Sequence, residues 1–247
     1  MSILFACLWL VGCDPGERAI TPIAVDASVG EAGYYTLGGE RTLLLGFTLS
    51  PSQVASGAVT QVVKRIAANG GNFLHLAAPE LSDTTYGEWS RAAAAAGVVL
   101  DTATEQSLAT VSASVNGFNL SVLAGSPAQV YDRLSQQALN SLRGIRTVER
   151  HIAFWDLRVD DRLLVGDRPP GTMSAADSLG NYVIHIGGTG AVTVRFRDSG
   201  QQPRRVTVVG HLGTQRSEVL HPPYGREFTL LSNEARGGWM LIEPLRP

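Results

Sequence analysis

Arg41-Thr42-Leu43-Leu44-Leu45-Gly46-Phe47-Thr48-Leu49-Ser50-Pro51-Ser52-Gln53 runs from an apolar segment straight into a helix-start signature. Leu43 to Phe47 is continuously apolar, as expected of a strand covered on both faces, and such strands belong to parallel sheets. Directly after it, Ser50 suits a helix N-cap, Pro51 the first helical position and Gln53 the third residue of a capping box. A strand that runs straight into a helix start opens a β-α unit. Upstream, Tyr34 to Leu37, Gly38-Gly39 and Arg41 to Leu49 read as a hairpin, because paired glycines adopt the positive φ of a tight turn.

Downstream the unit repeats. Val59, Val62, Val63 and Ile66 share one helical face, and Gly70 ends that helix. Asn72 to Ala77 follows as an apolar strand, then a helix from Tyr86 to Ala96 stopped by Gly97, then the strand Val98 to Asp101. Leu108, Val111 and Val115 mark a further short helix and Phe118 to Leu123 a fourth strand. Ser126-Pro127-Ala128-Gln129 predicts the cap of a long helix carrying Val130, Leu134, Leu142 and Ile145. Alternation of this kind implies a parallel sheet with right-handed crossovers. Near Val165 the pattern changes. Pro169-Pro170-Gly171 reads as a linker, and beyond it Tyr182 to Ile186, Ala191 to Phe196, Arg205 to Val209, Glu227 to Leu231 and Trp239 to Ile242 are short strands between turns, the spacing of a small β-sandwich.

With 247 residues, 44% of them hydrophobic and 17% charged, the chain can bury a core and is not a disordered tail. A formal net charge of -2 supplies no clustered basic field, so nucleic acid is not expected as a partner. Both cysteines, Cys7 and Cys13, precede the folded region, which leaves no disulfide or cysteine metal site downstream. Ile3 to Gly12 is too short to span a bilayer but has the size of a signal-peptide core. It ends in Leu10-Val11-Gly12-Cys13, which resembles the bacterial lipoprotein box. Residues 1–13 are therefore expected to be a lipoprotein signal peptide ending at a lipidated Cys13, and 14–32 a tether. The protein is expected to be exported and held at a membrane surface of the bacterial envelope by acyl chains, each buried methylene adding about 0.8 kcal/mol.

Three stretches of the folded region resemble apiosidase-like glycoside hydrolases, whose eight-stranded barrel is followed by a β-sandwich labelled as a collagen-binding domain. Gly38 to Thr48 is similar to that family's first strand, and Gly70-Gly71-Asn72-Phe73-Leu74 to its entry to the second. Phe154-Trp155-Asp156-Leu157 with Leu163-Leu164-Val165 resembles the segment leaving the barrel, and Gly180 to Ile184 and Gly238 to Leu241 follow the sandwich pattern. The resemblance implies an α/β fold: a shortened TIM-barrel-like parallel β/α domain over 33–168, followed by a small C-terminal antiparallel β-sandwich over 172–247. It is shortened because a complete barrel takes about 250 residues. The family's acid/base and nucleophile carboxylates stand at the ends of the fourth and seventh strands. Here the fourth candidate strand ends in Leu123-Ala124-Gly125, and Phe47 and Leu49 stand where the family carries an acid and an aromatic residue.

Ligands of parallel α/β sheets gather at the carboxyl ends of the strands. Those ends supply Thr48 and Ser50, then His75, Glu80 and Asp83, then Asp101, Thr104 and Glu105. Glu80 with Asp101, or Asp101 with Glu105, is the candidate catalytic pair, weighed against capping and loop solvation. His75, Asp83, Tyr86 and Trp89 are candidate ligand contacts, Tyr86 and Trp89 competing with a packing role and Trp155 offering a further ring. No metal site and no cofactor are expected, since a lone histidine in an apolar strand is more often a satisfied core residue. The reading is a degenerate hydrolase-like lipoprotein without catalysis, binding a glycan or acting as an envelope scaffold. A working glycoside hydrolase using Glu80, Asp101 and Glu105, and a purely structural partner protein, are the competing readings. Open sheet edges also predict a homodimer.

Overall fold

The computed structural model describes residues 25–26, 34–37, 40–54, 57–77, 82–101, 128–197, 201–223, 226–233 and 237–245. β1 (Val25–Asp26), β2 (Tyr34–Leu37) and β3 (Glu40–Thr42) form a small antiparallel sheet, with Leu37 opposite Glu40 across the two glycines. The chain then runs through β4 (Leu44–Leu49), α1 (Val59–Ala68), β5 (Phe73–Leu76), α2 (Asp83–Ala96), β6 (Val99–Asp101), β7 (Ala128–Tyr131) and α3 (Gln136–Glu149). The four strands make one parallel sheet in the order β6-β5-β4-β7, with Gly46 opposite Phe73 on one side and Val130 on the other. Strand alternation divides the apolar residues of β4 between two faces. Leu43, Leu45, Phe47 and Leu49 join one core with Val63 and Ile66 of α1, Trp89 and Ala93 of α2, and Leu139, Leu142 and Ile145 of α3. Leu44, Phe73 and Val130, on the other face, are buried too, which is why the run at Leu43 to Phe47 shows no polar alternation.

Three helix starts differ from expectation. Ser50 N–H does donate to Gln53 Oε1 at 2.9 Å, but Pro51–Gln53 makes only a 3-10 turn and α1 begins at Val59. α2 begins earlier than the apolar pattern indicates, at Asp83, where Ser82 Oγ accepts the Thr85 N–H at 3.3 Å. The segment expected to cap the long helix instead contains β7, and the cap is Ser135, whose Oγ accepts the Ala138 N–H at 3.1 Å. Val130 and Leu134 are spaced like a helical face, yet pairing with β4 takes Val130 into the sheet, a tertiary preference that overrides local signals. The expected helix at Leu108 to Val115 and strand at Phe118 to Leu123 lie outside the described residues.

The second half of the chain is antiparallel: β8 (Arg158–Val159), β9 (Leu164–Val165), β10 (Met173–Ala176), β11 (Tyr182–Ile186), β12 (Gly190–Arg195), β13 (Arg204–Gly210), β14 (Gln215–Leu220), β15 (Glu227–Ser232) and β16 (Gly238–Pro244). A six-stranded sheet, β14-β13-β16-β11-β10-β8, faces a three-stranded one, β15-β12-β9. Tyr182, Ile184, Val206, Met240 and Ile242 from the first and Val192, Val194 and Leu230 from the second fill the space between them. The alternate residues of the larger sheet, Val183, Val209, Trp239 and Leu241, point the other way and join the core around α3. Gly144 of α3 faces that sheet, its Cβ position 3.6 Å from the Gly210 carbonyl oxygen, an ordinary packing contact. The fold is mixed α/β, a helix-covered parallel sheet joined through α3 to antiparallel layers.

Candidate functional site

The amino ends of the parallel strands are locked. Asn72 Oδ1 accepts the Leu45 N–H at 2.8 Å and its Nδ2 donates to the Leu43 carbonyl at 3.0 Å, so this side chain clamps β5 onto β4. Glu149 of α3 accepts the Leu43 N–H at 2.9 Å and pairs with Arg146, which also donates to the Gly70 carbonyl at 3.0 Å. This network serves stability, as polar residues at that end of a β/α sheet commonly do.

At the carboxyl ends, parallel pairing sets Thr48 beside His75 and His75 beside Asp101, one row across three strands. His75 Nδ1 and Asp101 Oδ2 are 3.1 Å apart and both side chains are largely buried. The carboxylate fixes the imidazole orientation, either accepting Nδ1–H from the neutral ring or pairing with the protonated one. A fixed imidazole next to a threonine hydroxyl can hydrogen-bond a hydroxyl-rich ligand.

Cleaving a glycosidic bond takes two carboxyl groups about 5–9.5 Å apart. The other acid at a described strand end is Asp132, directly after β7. β6 and β7 lie three strand steps apart in the sheet order. Asp132 was hidden in the sequence because its segment reads as a helix; reading Gln129-Val130-Tyr131 as a strand exposes it.

Of the remaining candidates, Glu80 and Glu105 lie outside the described residues, as does Cys13. Asp83 sits exposed in the first turn of α2, where its charge complements the helix N-terminus. Tyr86 is 43% exposed, whereas Trp89 is 1% exposed and packs in the core, so of these two rings only that of Tyr86 is open to a sugar. Among the described residues, no group of three His, Cys, Asp or Glu side chains is placed to hold a metal ion.

The antiparallel layers carry a second polar concentration, which the sequence pattern does not reveal. Asp160 is buried and accepts from Arg162 Nε at 2.8 Å, Arg162 Nη2 at 3.1 Å and Arg197 Nη2 at 2.9 Å. The Arg162 contact, then that of Arg197, holds its carboxyl well below the usual range against the opposing effect of burial. Arg204, 2% exposed, places its guanidinium 5.1 Å from the Tyr182 ring centroid and 4.8 Å from that of Phe196, and donates to the Gly180 carbonyl at 3.0 Å. Beside this region lies a cleft of about 540 Å³ adjoining one of about 280 Å³, both lined by Asp177, Ser178, Leu179 and Arg197.

No protein-family model matches the chain, and no curated protein does. Solved structures do. One described as a glycoside hydrolase aligns with a TM-score of 0.64 at 7% identity, over 90% of this chain and 97% of its own. A glycoside hydrolase family 5 protein from Bacteroides vulgatus aligns with a TM-score of 0.61 at 6% identity, over 90% of this chain and 93% of its own. The likeness spans both the parallel and the antiparallel parts, and the fold is glycoside-hydrolase-like. The expectation of that fold class is met at this level.

Proposed function

We propose that this protein is a lipid-anchored envelope protein that binds a glycan through a degenerate glycoside-hydrolase-like fold and does not cleave it. One observation carries the non-catalytic part: the carboxylate of Asp101, the candidate acid at a described strand end, is engaged by His75 Nδ1 at 3.1 Å. The shortened-barrel reading is supported by the strand order. β7 flanks β4 opposite β5, as the last strand of a closed barrel flanks the first, and the three described helices share one core with one face of β4. Two facing antiparallel sheets with a common core support the C-terminal sandwich reading.

The anchor rests on Leu10-Val11-Gly12-Cys13 and the polar Asp14-Pro15-Gly16-Glu17 after it. Expressed in a bacterium that processes lipoproteins, the wild-type chain is expected in the membrane fraction with diacylglycerol on Cys13 by mass spectrometry. The Cys13→Ala variant is expected to lose both, and an unmodified wild-type Cys13 would remove the anchor from the account.

An active glycoside hydrolase is the second reading, favoured by the descriptions of the neighbouring structures. Incubation of purified protein with plant and bacterial polysaccharides separates the two. Retention on a polysaccharide without released sugar is expected; release that disappears in Asp101→Ala establishes the hydrolase.

A further inference from the structure

We infer that the glycan is held not at the carboxyl ends of the parallel strands but in the cleft beside the turn joining β10 to β11, and that it is a neutral sugar recognised through neighbouring hydroxyls. This rests on the glycan-binding reading above and locates it. The larger lobe is lined by Asp156, Arg158, Asp177, Ser178, Leu179 and Arg197, and its volume of about 540 Å³ falls within the roughly 300–1,000 Å³ of small-molecule sites.

Both guanidinium groups are anchored from behind. Arg158 Nη1 donates to the Leu157 carbonyl at 2.9 Å and the Trp155 carbonyl at 3.3 Å, and Arg197 Nη2 donates to the buried Asp160 carboxylate at 2.9 Å. The Arg197 side chain nevertheless stays 49% exposed. A planar fork held this way presents its other N–H groups in fixed directions and loses little freedom when it binds two adjacent oxygens. Asp177 plays a different part. Its carboxylate accepts the Leu179 and Asn181 N–H groups at 2.8 and 2.9 Å and Asn181 Nδ2 at 2.6 Å, which sets the shape of the turn. The exposed Asp156 and the Ser178 hydroxyl supply acceptors, and Leu179, 60% exposed, offers an apolar surface to the C–H face of a ring.

Charge selects the ligand class. Two arginines and two aspartates line the larger lobe, so no net field draws an anion there, whereas donors and acceptors side by side match a polyol.

Isothermal titration of the full folded chain, carrying Cys13→Ala to avoid lipidation, tests the site with cello-, manno- and xylo-oligosaccharides as neutral probes and oligogalacturonides as the acidic comparator. Wild-type protein is expected to bind a neutral probe. Asp156→Ala and Arg158→Ala are each expected to weaken it tenfold or more with the thermal midpoint unchanged, while Arg195→Gln, outside the cleft, keeps full affinity. Unchanged affinity in both cleft variants overturns the location and leaves glycan binding intact. A preference for oligogalacturonides overturns the neutral class, and a wild-type chain that binds none of these probes overturns the location and the glycan-binding reading together.

Discussion

Gly46 shows how much a single position can dictate. It lies in the centre of β4, and a Cβ built on it would stand 1.7 Å from the Phe73 carbonyl oxygen of β5, a backbone atom that cannot swing aside. Gly46→Ala is therefore expected to lower the unfolding free energy by about 2–4 kcal/mol, read from urea denaturation. A change under 0.5 kcal/mol would mean that the two strands part easily. His185 adds a pH dependence. Burial against Trp239, whose ring centroid is 5.0 Å away, lowers its pKa to about 4, partly offset by the hydrogen bond with the Gly171 carbonyl. Its unfolded counterpart takes a proton near 6.5, so between these values the unfolded state binds more protons and stability falls as pH falls. Allowing for the partial exposure of the ring, wild-type protein is expected to lose about 1 kcal/mol more than His185→Gln between pH 7 and pH 5. Parallel pH profiles for the two proteins would rule this out.

α3 is the element on which the rest is assembled. Its apolar face packs on the parallel sheet and on Val209 and Trp239 of the antiparallel one, while Glu149 holds the Leu43 N–H just before β4 and Arg146 the Gly70 carbonyl before β5. Asn72 completes the grip, and Asn72→Ala leaves the Leu45 N–H and Leu43 carbonyl without this partner. It is expected to cost about 2–3 kcal/mol in thermal or denaturant unfolding, and a loss below 0.5 kcal/mol would show that water replaces the amide. The sequence makes some of this legible and not the rest. The run at Leu43 to Phe47, the stop at Gly97 and the apolar run of Tyr182 to Ile186 are local signals, and each marks an element. β7 was not legible because Pro127 and the Val130–Leu134 spacing imitate a helix start, and its strand character comes from β4. β10 escaped because Met173-Ser174-Ala175-Ala176 is small and featureless, and β14 because an exposed edge strand has little apolar pattern to show. At the candidate site, strand-end reasoning picked out His75 and Asp101, which the sheet brings together. It did not pick out Arg158 and Arg197, whose neighbourhood exists only after β8, β10 and β12 assemble.

At the scale of the whole molecule, parallel and antiparallel parts are not independent beads. Leu43, Leu142, Val183 and Trp239 belong to one continuous core, and the likeness to solved glycoside-hydrolase structures extends across both parts. Such a fold hosts chemistry only if its acids meet, since function resides in the site and not in the scaffold. The described sheet pairs the carboxylate of Asp101 with the His75 imidazole at 3.1 Å. Proton NMR of the anomeric region, recorded over a day while the protein is incubated with soluble polysaccharide, reads cleavage of either stereochemical course directly. Broadened polysaccharide signals from binding and no new anomeric resonance are expected; a growing α or β reducing-end signal that vanishes in Asp101→Ala would establish cleavage at this site instead.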